Sequence, residues 1–139
     1  AIFRDNVPVE NLPELWNQKM KEYLDITPAN DAEGILQDMH WSDGSFGYFP
    51  SYLLGSIYDG MYLEELEKEL GPVDEILKEG RIKEITKWLN KKIHWYGSTR
   101  TPKEVIANVC GKEVSAEPLV RYFEKKYADI YNLDHLMEK

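Results

Sequence analysis

Residues 82–97, IKEITKWLNKKIHWYG, carry the clearest periodic pattern in the chain. Five apolar side chains in this stretch recur at helical spacing: Ile82, Ile85, Trp88, Leu89 and Ile93. On an α-helix they form a single apolar stripe, whereas a half-buried strand would alternate apolar and polar residues. The pattern therefore predicts an amphipathic helix that ends by Gly97. No stretch of the chain alternates apolar and polar residues over any length, so we expect an all-α fold.

Capping and breaking signals place the other helices. Asn11 and Pro13 indicate a helix start, with the Asn11 side chain accepting from the first backbone N–H groups, and apolar spacing continues to about residue 25. Asp31 is positioned to cap a second helix over Gly34 to Trp41, and a loop over Ser42 to Gly47 is expected next.

The second half of the chain predicts four more helices beside the one at 82–97. Their predicted ranges are Pro50 to Leu70, Val73 to Lys78, Pro102 to Gly111 and about Glu117 to Tyr131. Gly71 and Pro72 end the first of these. Thr101 and Glu104 form a capping box before the third, because the carboxylate lies three residues after the cap.

Length and composition favour one small globular unit. The chain has 139 residues, of which 42% are hydrophobic and 30% charged, and it contains no internal repeat or long linker. We expect a single helical domain or fragment over residues 1–139. No apolar run approaches the ~20 residues of a membrane helix, and no secretory signal is visible. The single cysteine, Cys110, favours a reducing compartment such as the cytoplasm.

Charge is divided unevenly along the chain, whose net charge is −8. Residues 1–79 hold 17 acidic and 5 basic side chains, whereas residues 80–139 hold 8 and 12. Phosphate binding needs clustered positive charge, so nucleic acid is disfavoured as a partner. The basic stretch Arg81 to Lys103 is interpreted as a helix face that balances the acidic stretch Asp59 to Glu79, in preference to an anion-binding site.

Metal and nucleophile patterns are weak. The three histidines, His40, His94 and His135, are far apart, and none has the i, i+4 partner that lets one helix hold a metal. We therefore expect no metal site from the motifs of this chain. Cys110 lies in an apolar stretch without a neighbouring histidine, which favours a packed core residue over a nucleophile.

The chemistry that stands out lies in residues 34–41, GILQDMHW, and the aromatic segment after them. On a helix, Gln37, His40 and Trp41 would share one face. Tyr48 and Tyr52 follow on either side of Pro50. A neutral imidazole and a phenol are good donors toward a developing oxyanion. On these residues alone a structural interpretation is favoured over the chemical one: a core His40 bonded to Asp38 or Gln37, and tyrosines that only pack.

The pattern Gly34-x-x-Gln37-Asp38-x-His40-Trp41 resembles a signature of the carboxypeptidase Taq family, the thermostable zinc carboxypeptidases. Residues 44–55, GSFGYFPSYLLG, resemble the segment that follows it there. Residues 12–17, 88–97 and 117–127 also resemble parts of the family. The similarity thus extends over nearly the whole chain.

The same resemblance shows what this sequence lacks. The family holds zinc with a His-Glu-x-x-His helix and a further Glu, and it binds the substrate carboxylate through arginine motifs upstream. None of these occurs here. The chain therefore resembles about the last third of such an enzyme. The resemblance implies a mostly helical, cytoplasmic homodimer, zinc in the full-length enzyme, a missing N-terminal metal-binding part, and the C-terminal end of a peptide as substrate.

Family roles carry over to individual residues of the signature. The resemblance implies that His40 points into the groove and hydrogen-bonds the substrate or the tetrahedral intermediate, with Tyr48 or Tyr52 as the second donor. Gln37 and Asp38 are expected to orient His40, and Trp41 to line the same site. The chain would then form a substrate-stabilising wall that is inactive alone. The alternative is a non-catalytic helical module that uses the aromatic surface for interaction or self-association.

Overall fold

The computed structural model describes residues 2–133, apart from the side chain of Asp129. Within that range it contains α-helices and short 3-10 turns and no strand, so the all-α prediction is confirmed. The helices are α1 (Ile2–Asp5), α2 (Leu12–Leu24), α3 (Pro50–Leu70), α4 (Val73–Lys78), α5 (Ile82–Lys92), α6 (Pro102–Cys110) and α7 (Glu117–Tyr131). The 3-10 turns are Val9–Asn11, Ile35–Gln37, Met39–Asp43 and His94–Tyr96.

The predicted boundaries of α3, α4, α6 and α7 are confirmed. The start of α2 is correct to one residue, but Asn11 makes no side-chain capping bond there, so its predicted capping role is wrong. The residue after α2, Asp25, adopts the left-handed conformation, which ends the helix before Thr27 and Pro28. The single turn α1 was not predicted, because four residues are too few to show a period.

The described residues fall into two compact units, Ala1–Pro50 and Ser51–Lys139. A single domain over residues 1–139 stays a prediction. Within residues 2–133, no helix combines the length and the apolar character that a membrane span needs.

The core of the second unit joins α3, α4 and α5. Leu66, Ile76 and Trp88 are buried together at its centre. The Trp88 indole donates to Glu69 Oε2 at 3.1 Å, and Lys92 pairs with Glu69 Oε1 at 2.7 Å. Four residues of the predicted apolar stripe, Ile85, Trp88, Leu89 and Ile93, therefore face this core, whereas Ile82 at the start of α5 is exposed. Lys92 and Glu69 also join the basic stretch to the acidic one, as the charge pattern predicted.

Helix α7 approaches α3 closely at Gly60. A methyl group built on Gly60 would lie 2.9 Å from the backbone nitrogen of Leu119 and 3.0 Å from its Cα. Only a residue without Cβ allows two backbones to come this near. One turn further along α3, Glu64 accepts hydrogen bonds from Arg121 at 3.0 Å and from Lys112 at 3.1 Å. The contact between α3 and α7 thus combines close backbone packing with an ion-pair cluster.

Replacing Thr101 by alanine is expected to lower the free energy of unfolding by about 1 kcal/mol. Thr101 Oγ1 accepts from the backbone N–H of Glu104, and the Glu104 carboxylate accepts from the backbone N–H of Thr101. The substitution removes the first bond and loosens the second. Urea denaturation followed by circular dichroism measures the change. Thr86→Ala is the matched control, because Thr86 lies inside α5 and caps no helix terminus. A Thr101→Ala midpoint equal to that of the control would contradict the capping role.

The Glu64 cluster predicts a pH dependence of stability. Burial raises the pKa of the Glu64 carboxyl, but the hydrogen bonds from Arg121 and Lys112 outweigh it and hold this pKa below its usual value. A group whose pKa is lowered by folding stabilises the fold above its unfolded pKa, and that contribution is lost as pH falls through the folded pKa. At neutral pH we expect the free energy of unfolding of the wild type to exceed that of Glu64→Gln by less than about 1 kcal/mol. The difference should shrink in unfolding curves below about pH 4. A difference that stays constant as the pH falls well below about 4 would contradict the prediction.

Candidate functional site

The segment from Gly34 to Asp43 is built from two 3-10 turns and not from one helix. The predicted helix over Gly34 to Trp41 is therefore wrong. Asp38 lies between the turns with φ −82° and ψ 81°, and its carboxylate accepts from the backbone N–H of His40 at 3.3 Å. Aspartate side chains that bond the nearby backbone compete in this way with continuous helix. Asp31, the predicted cap of that helix, lies in a turn instead. Its backbone carbonyl accepts hydrogen bonds from the backbone N–H groups of Gly34 and Leu36.

Asp38 gathers the signature side chains around its carboxylate. It is 8% exposed and is the one charged side chain among the buried residues of the described range. Asp38 Oδ1 lies 2.8 Å from His40 Nδ1, and Asp38 Oδ2 accepts from Trp41 Nε1 at 2.8 Å. Three N–H groups from two residues thus converge on one carboxylate. We call Asp38, His40 and Trp41 the Asp38 cluster.

The contact with Asp38 determines which nitrogen of His40 can act on a ligand. An ionised carboxylate only accepts hydrogen bonds, so the proton facing Asp38 belongs to His40 Nδ1. In the neutral ring Nε2 is then an acceptor, and it becomes a donor only when the ring is protonated. The sequence predicted that a neutral imidazole donates to the ligand, but with Nδ1–H facing Asp38 only the doubly protonated ring donates from Nε2.

Two aromatic rings of the following loop flank His40. Its ring centroid lies 5.0 Å from that of Tyr48 and 5.5 Å from that of Phe49. The loop returns to the imidazole through two left-handed glycines, Gly44 at φ 83° and Gly47 at φ 79°, a conformation that other residues adopt with strain. The His40 side chain is 18% exposed, whereas Tyr48 is 52% exposed. The imidazole is therefore held by its neighbours while the phenol of Tyr48 lies at the surface.

The other two predicted site residues lie in other elements. Gln37 donates through its side-chain amide to the carbonyl of Ala32, so it anchors the preceding turn and shares no helical face with His40. Tyr52 belongs to the second unit, where it lies exposed in the first turn of α3. The structure thus brings together Asp38, His40, Trp41 and Tyr48.

Trp41 also lines an apolar groove of about 450 Å³ in the first unit. The groove lining includes Phe3, Leu12, Trp16, Ile35 and Phe46. The buried indole nitrogen of Trp16 has no hydrogen-bond partner within the described range. Trp16 lies in the helix that the apolar spacing up to about residue 25 predicted, whereas Phe3, whose ring contacts Phe46 edge-on at 5.8 Å, was not predicted to take part. A single turn such as α1 offers no periodic signal that would have placed Phe3.

The described residues offer no metal site. Among residues 2–133, no group of three His, Cys, Asp or Glu side chains is arranged to hold a metal ion. His94 is bonded to Asn90, and His135 lies outside the described residues. No step involving a metal can therefore be derived from these side chains.

Cys110 is half-buried, and its thiol donates to the carbonyl of Met61 at 3.8 Å. Burial raises the pKa of this thiol, which keeps it protonated near neutral pH. A protonated thiol is a poor nucleophile. The packing interpretation of Cys110 fits this geometry.

Comparison with known proteins gives concordant matches. The family model of the carboxypeptidase Taq (M32) metallopeptidases matches residues 1–127. Carboxypeptidase 1 of Bacillus subtilis is 44% identical over 133 residues, or 96% of this chain. Thermostable carboxypeptidase 1 of Thermus thermophilus is 38% identical over 131 residues, or 94% of this chain. The solved structure of Pyrococcus furiosus carboxypeptidase, Apo-Mg, superimposes with a TM-score of 0.81 at 36% identity over 88% of this chain.

The chain spans only about a quarter of the length of these proteins. It covers 26% of each of the two bacterial relatives and 25% of the Pyrococcus furiosus chain. The matched part includes the whole signature and the aromatic segment after it, since both lie inside residues 1–127.

Proposed function

Because the chain belongs to the carboxypeptidase Taq (M32) metallopeptidase family, we propose that it is the C-terminal part of a zinc-dependent carboxypeptidase. In this proposal it contributes one wall of the groove that binds the C-terminal end of a peptide substrate. The observation that carries the proposal is the Asp38 cluster, in which a buried carboxylate holds an imidazole beside an exposed phenol. A fixed imidazole and a nearby phenol are suited to stabilising negative charge on a reacting carbonyl.

His40 is the main donor in this proposal. Asp38 orients the ring through Nδ1, and Nε2 is the atom proposed to act on the substrate. In the protonated ring, Nε2–H would donate to the oxygen that becomes negative as the peptide carbonyl is attacked. Because Asp38, itself bonded by Trp41 Nε1, holds the ring before substrate arrives, little reorganisation is needed at that step. Asp38 and Trp41 therefore act as positioning residues.

The second donor is proposed to be Tyr48, since its ring lies against His40 in the same unit. Its half-exposed phenol can reach a ligand without desolvating a buried group. Tyr52 remains the alternative donor, supported by its exposed position at the start of α3. Gln37 supports the turn below the cluster through its bond to Ala32 and does not touch substrate.

The metal and its ligands are proposed to belong to the part of the full-length protein that this sequence lacks. Support comes from the share of the relatives that the chain covers and from the donor set of the described residues, which does not fit a metal. The many exposed large apolar side chains fit the same proposal, because the rest of a longer protein would cover them. The family resemblance further supports a cytoplasmic homodimer, which sedimentation of the full-length protein would test.

A chimera tests the proposed function directly. The stretch of Bacillus subtilis carboxypeptidase 1 that matches this chain is replaced by the chain itself, which the 44% identity makes feasible. We expect the chimera to release C-terminal residues from a short peptide, and the isolated 139-residue chain with added zinc to release none. A folded chimera without activity would overturn the proposal, as would activity of the isolated chain. The family match does not favour the non-catalytic module that was the alternative.

A further inference from the structure

A second groove lies in the unit Ser51–Lys139, at the contact between α3, α4 and α7. It encloses about 650 Å³, within the range of ~300–1,000 Å³ that small-molecule sites occupy. Its floor is apolar and includes Leu63, Val73, Pro118 and the ring of Tyr122. Gly60, where α7 lies closest to α3, also lines it.

The two sides of this groove carry opposite charge. Glu64 and Glu67 of α3 and Asp74 of α4 line one side. The other side is lined by α7 with Arg121, Lys125 and Lys126. Only Glu64 and Arg121 join the sides by an ion pair. The remaining charges of this groove, two acidic and two basic, form no ion pair with one another in the described structure.

The contacts of these remaining groups leave their charges available. Glu67 accepts from the backbone N–H of Val73 at 3.0 Å, which fixes its carboxylate at the end of α3. Lys126 Nζ lies between two rings of its own helix, 5.7 Å from the ring centroid of Tyr122, which lines the groove, and 5.4 Å from that of Tyr127, which does not. Asp74 and Lys125 are exposed on opposite sides.

The charge arrangement selects one class of ligand. The two lysines would attract a simple anion, but Glu67 and Asp74 would repel it. A simple cation would be attracted by the two carboxylates and repelled by Lys125 and Lys126. A neutral apolar ligand would gain nothing from either side. A zwitterion with separated ends satisfies both sides at once, and its side chains can contact the apolar floor.

We propose that this groove binds a zwitterion formed by free α-amino and α-carboxyl ends, carried by a short peptide or an amino acid. The carboxylate lies toward Lys125 and Lys126, and the ammonium lies toward Asp74 and Glu67. The inference does not depend on the proposed carboxypeptidase function, because it concerns other residues and its test measures binding and not turnover.

The test is an NMR titration of the ¹⁵N-labelled 139-residue chain with the dipeptide Ala-Leu, its N-acetylated form, its C-terminal amide and free leucine. We expect saturable shifts at the amides of Gly60, Val73 and Tyr122 with Ala-Leu. Blocking either end should weaken binding by about tenfold or more, because one side of the groove then loses its partner. Tighter binding of leucine than of Ala-Leu would identify the amino acid as the ligand, and the reverse would identify the peptide.

Two variants assign each end of the ligand to its side. In Asp74→Asn, the difference in affinity between Ala-Leu and its acetylated form should narrow, because only Glu67 still faces the ammonium, while the amide should still bind more weakly than Ala-Leu. In Lys125→Gln, the difference between Ala-Leu and its amide should narrow instead, because only Lys126 still faces the carboxylate. Lys103→Gln is the control, since Lys103 is an exposed lysine outside this groove, and it should leave all affinities unchanged. Absence of saturable binding in the folded wild type, or equal binding of the free and end-blocked dipeptides, would overturn the proposal.

Discussion

Replacing His40 by alanine in the chimera with Bacillus subtilis carboxypeptidase 1 is expected to lower kcat by about 10²–10³-fold, or on the order of 3 kcal/mol in the barrier. The proposed Nε2–H bond forms to charge that develops only in the transition state, so KM should change little. Steady-state kinetics on a short peptide measure both constants. Circular dichroism and thermal unfolding establish that the variant is folded.

Two further variants separate a chemical role of His40 from a structural one. Asp38→Asn removes the carboxylate that accepts from His40 Nδ1 and so no longer fixes the ring in that tautomer and orientation; kcat should fall by at least about tenfold while the side chain keeps its size. His94→Ala is the control, since His94 is exposed and bonded to Asn90, and kcat should stay near wild type. Unchanged kcat in His40→Ala with altered assembly would instead support the interaction module.

Replacing Gly60 by alanine is expected to lower the free energy of unfolding by about 2 kcal/mol. Alanine gains about 1 kcal/mol over glycine in helix propensity, but its methyl group would lie 2.9 Å from a backbone atom of Leu119. Backbone atoms cannot rotate away as a flexible side chain can. Relief therefore requires α7 to shift from α3, which also stretches the Glu64–Arg121 ion pair. Urea denaturation with a global fit measures the loss.

Gly55→Ala is the matched control for this substitution. Gly55 lies on the same helix, and a methyl group there meets no atom within 4 Å. Only the propensity gain remains, so this variant should be more stable than wild type by about 0.5–1 kcal/mol. Two variants with the same chemical change should thus move in opposite directions. If both move in the same direction, the contact between α3 and α7 is looser than the structure shows.

The helices that the sequence predicted well have strong local signals at both ends. Thr101 and Glu104 determine the start of α6, and Gly111 ends it in the left-handed conformation, so propensity and geometry agree. The apolar stripe of α5 could be predicted because five apolar residues recur at helical spacing. Helix α1 could not be predicted, since its four residues cover barely more than one helical turn and therefore show no repetition. The close approach at Gly60 was also unreadable, because it depends on where Leu119 lies in space.

The residues of the candidate site were identified correctly in part, but their geometry was not. Residues 34–41 have helical spacing, which predicted a shared face for Gln37 and His40. In the structure, side-chain bonds from Asp38 to nearby N–H groups break the helix and place Asp38 itself against His40 and Trp41. A pattern of residue types cannot distinguish these two outcomes, since both use the same polar groups. The resemblance to a known signature identified the segment but did not predict its backbone conformation.

The Asp38 cluster differs from the rest of the fold in the length of chain that it closes. The two hydrogen-bond partners of Asp38, His40 and Trp41, lie within three residues of it along the chain. The Glu64–Arg121 pair, in contrast, joins positions 57 residues apart. The entropy lost in closing a loop grows with its length, and contacts between near neighbours form fastest. The carboxylate, imidazole and indole can therefore assemble early, before the long-range helix contacts form. The folded protein then keeps the arrangement in which these three groups first formed. Insertions elsewhere in the chain leave that arrangement intact.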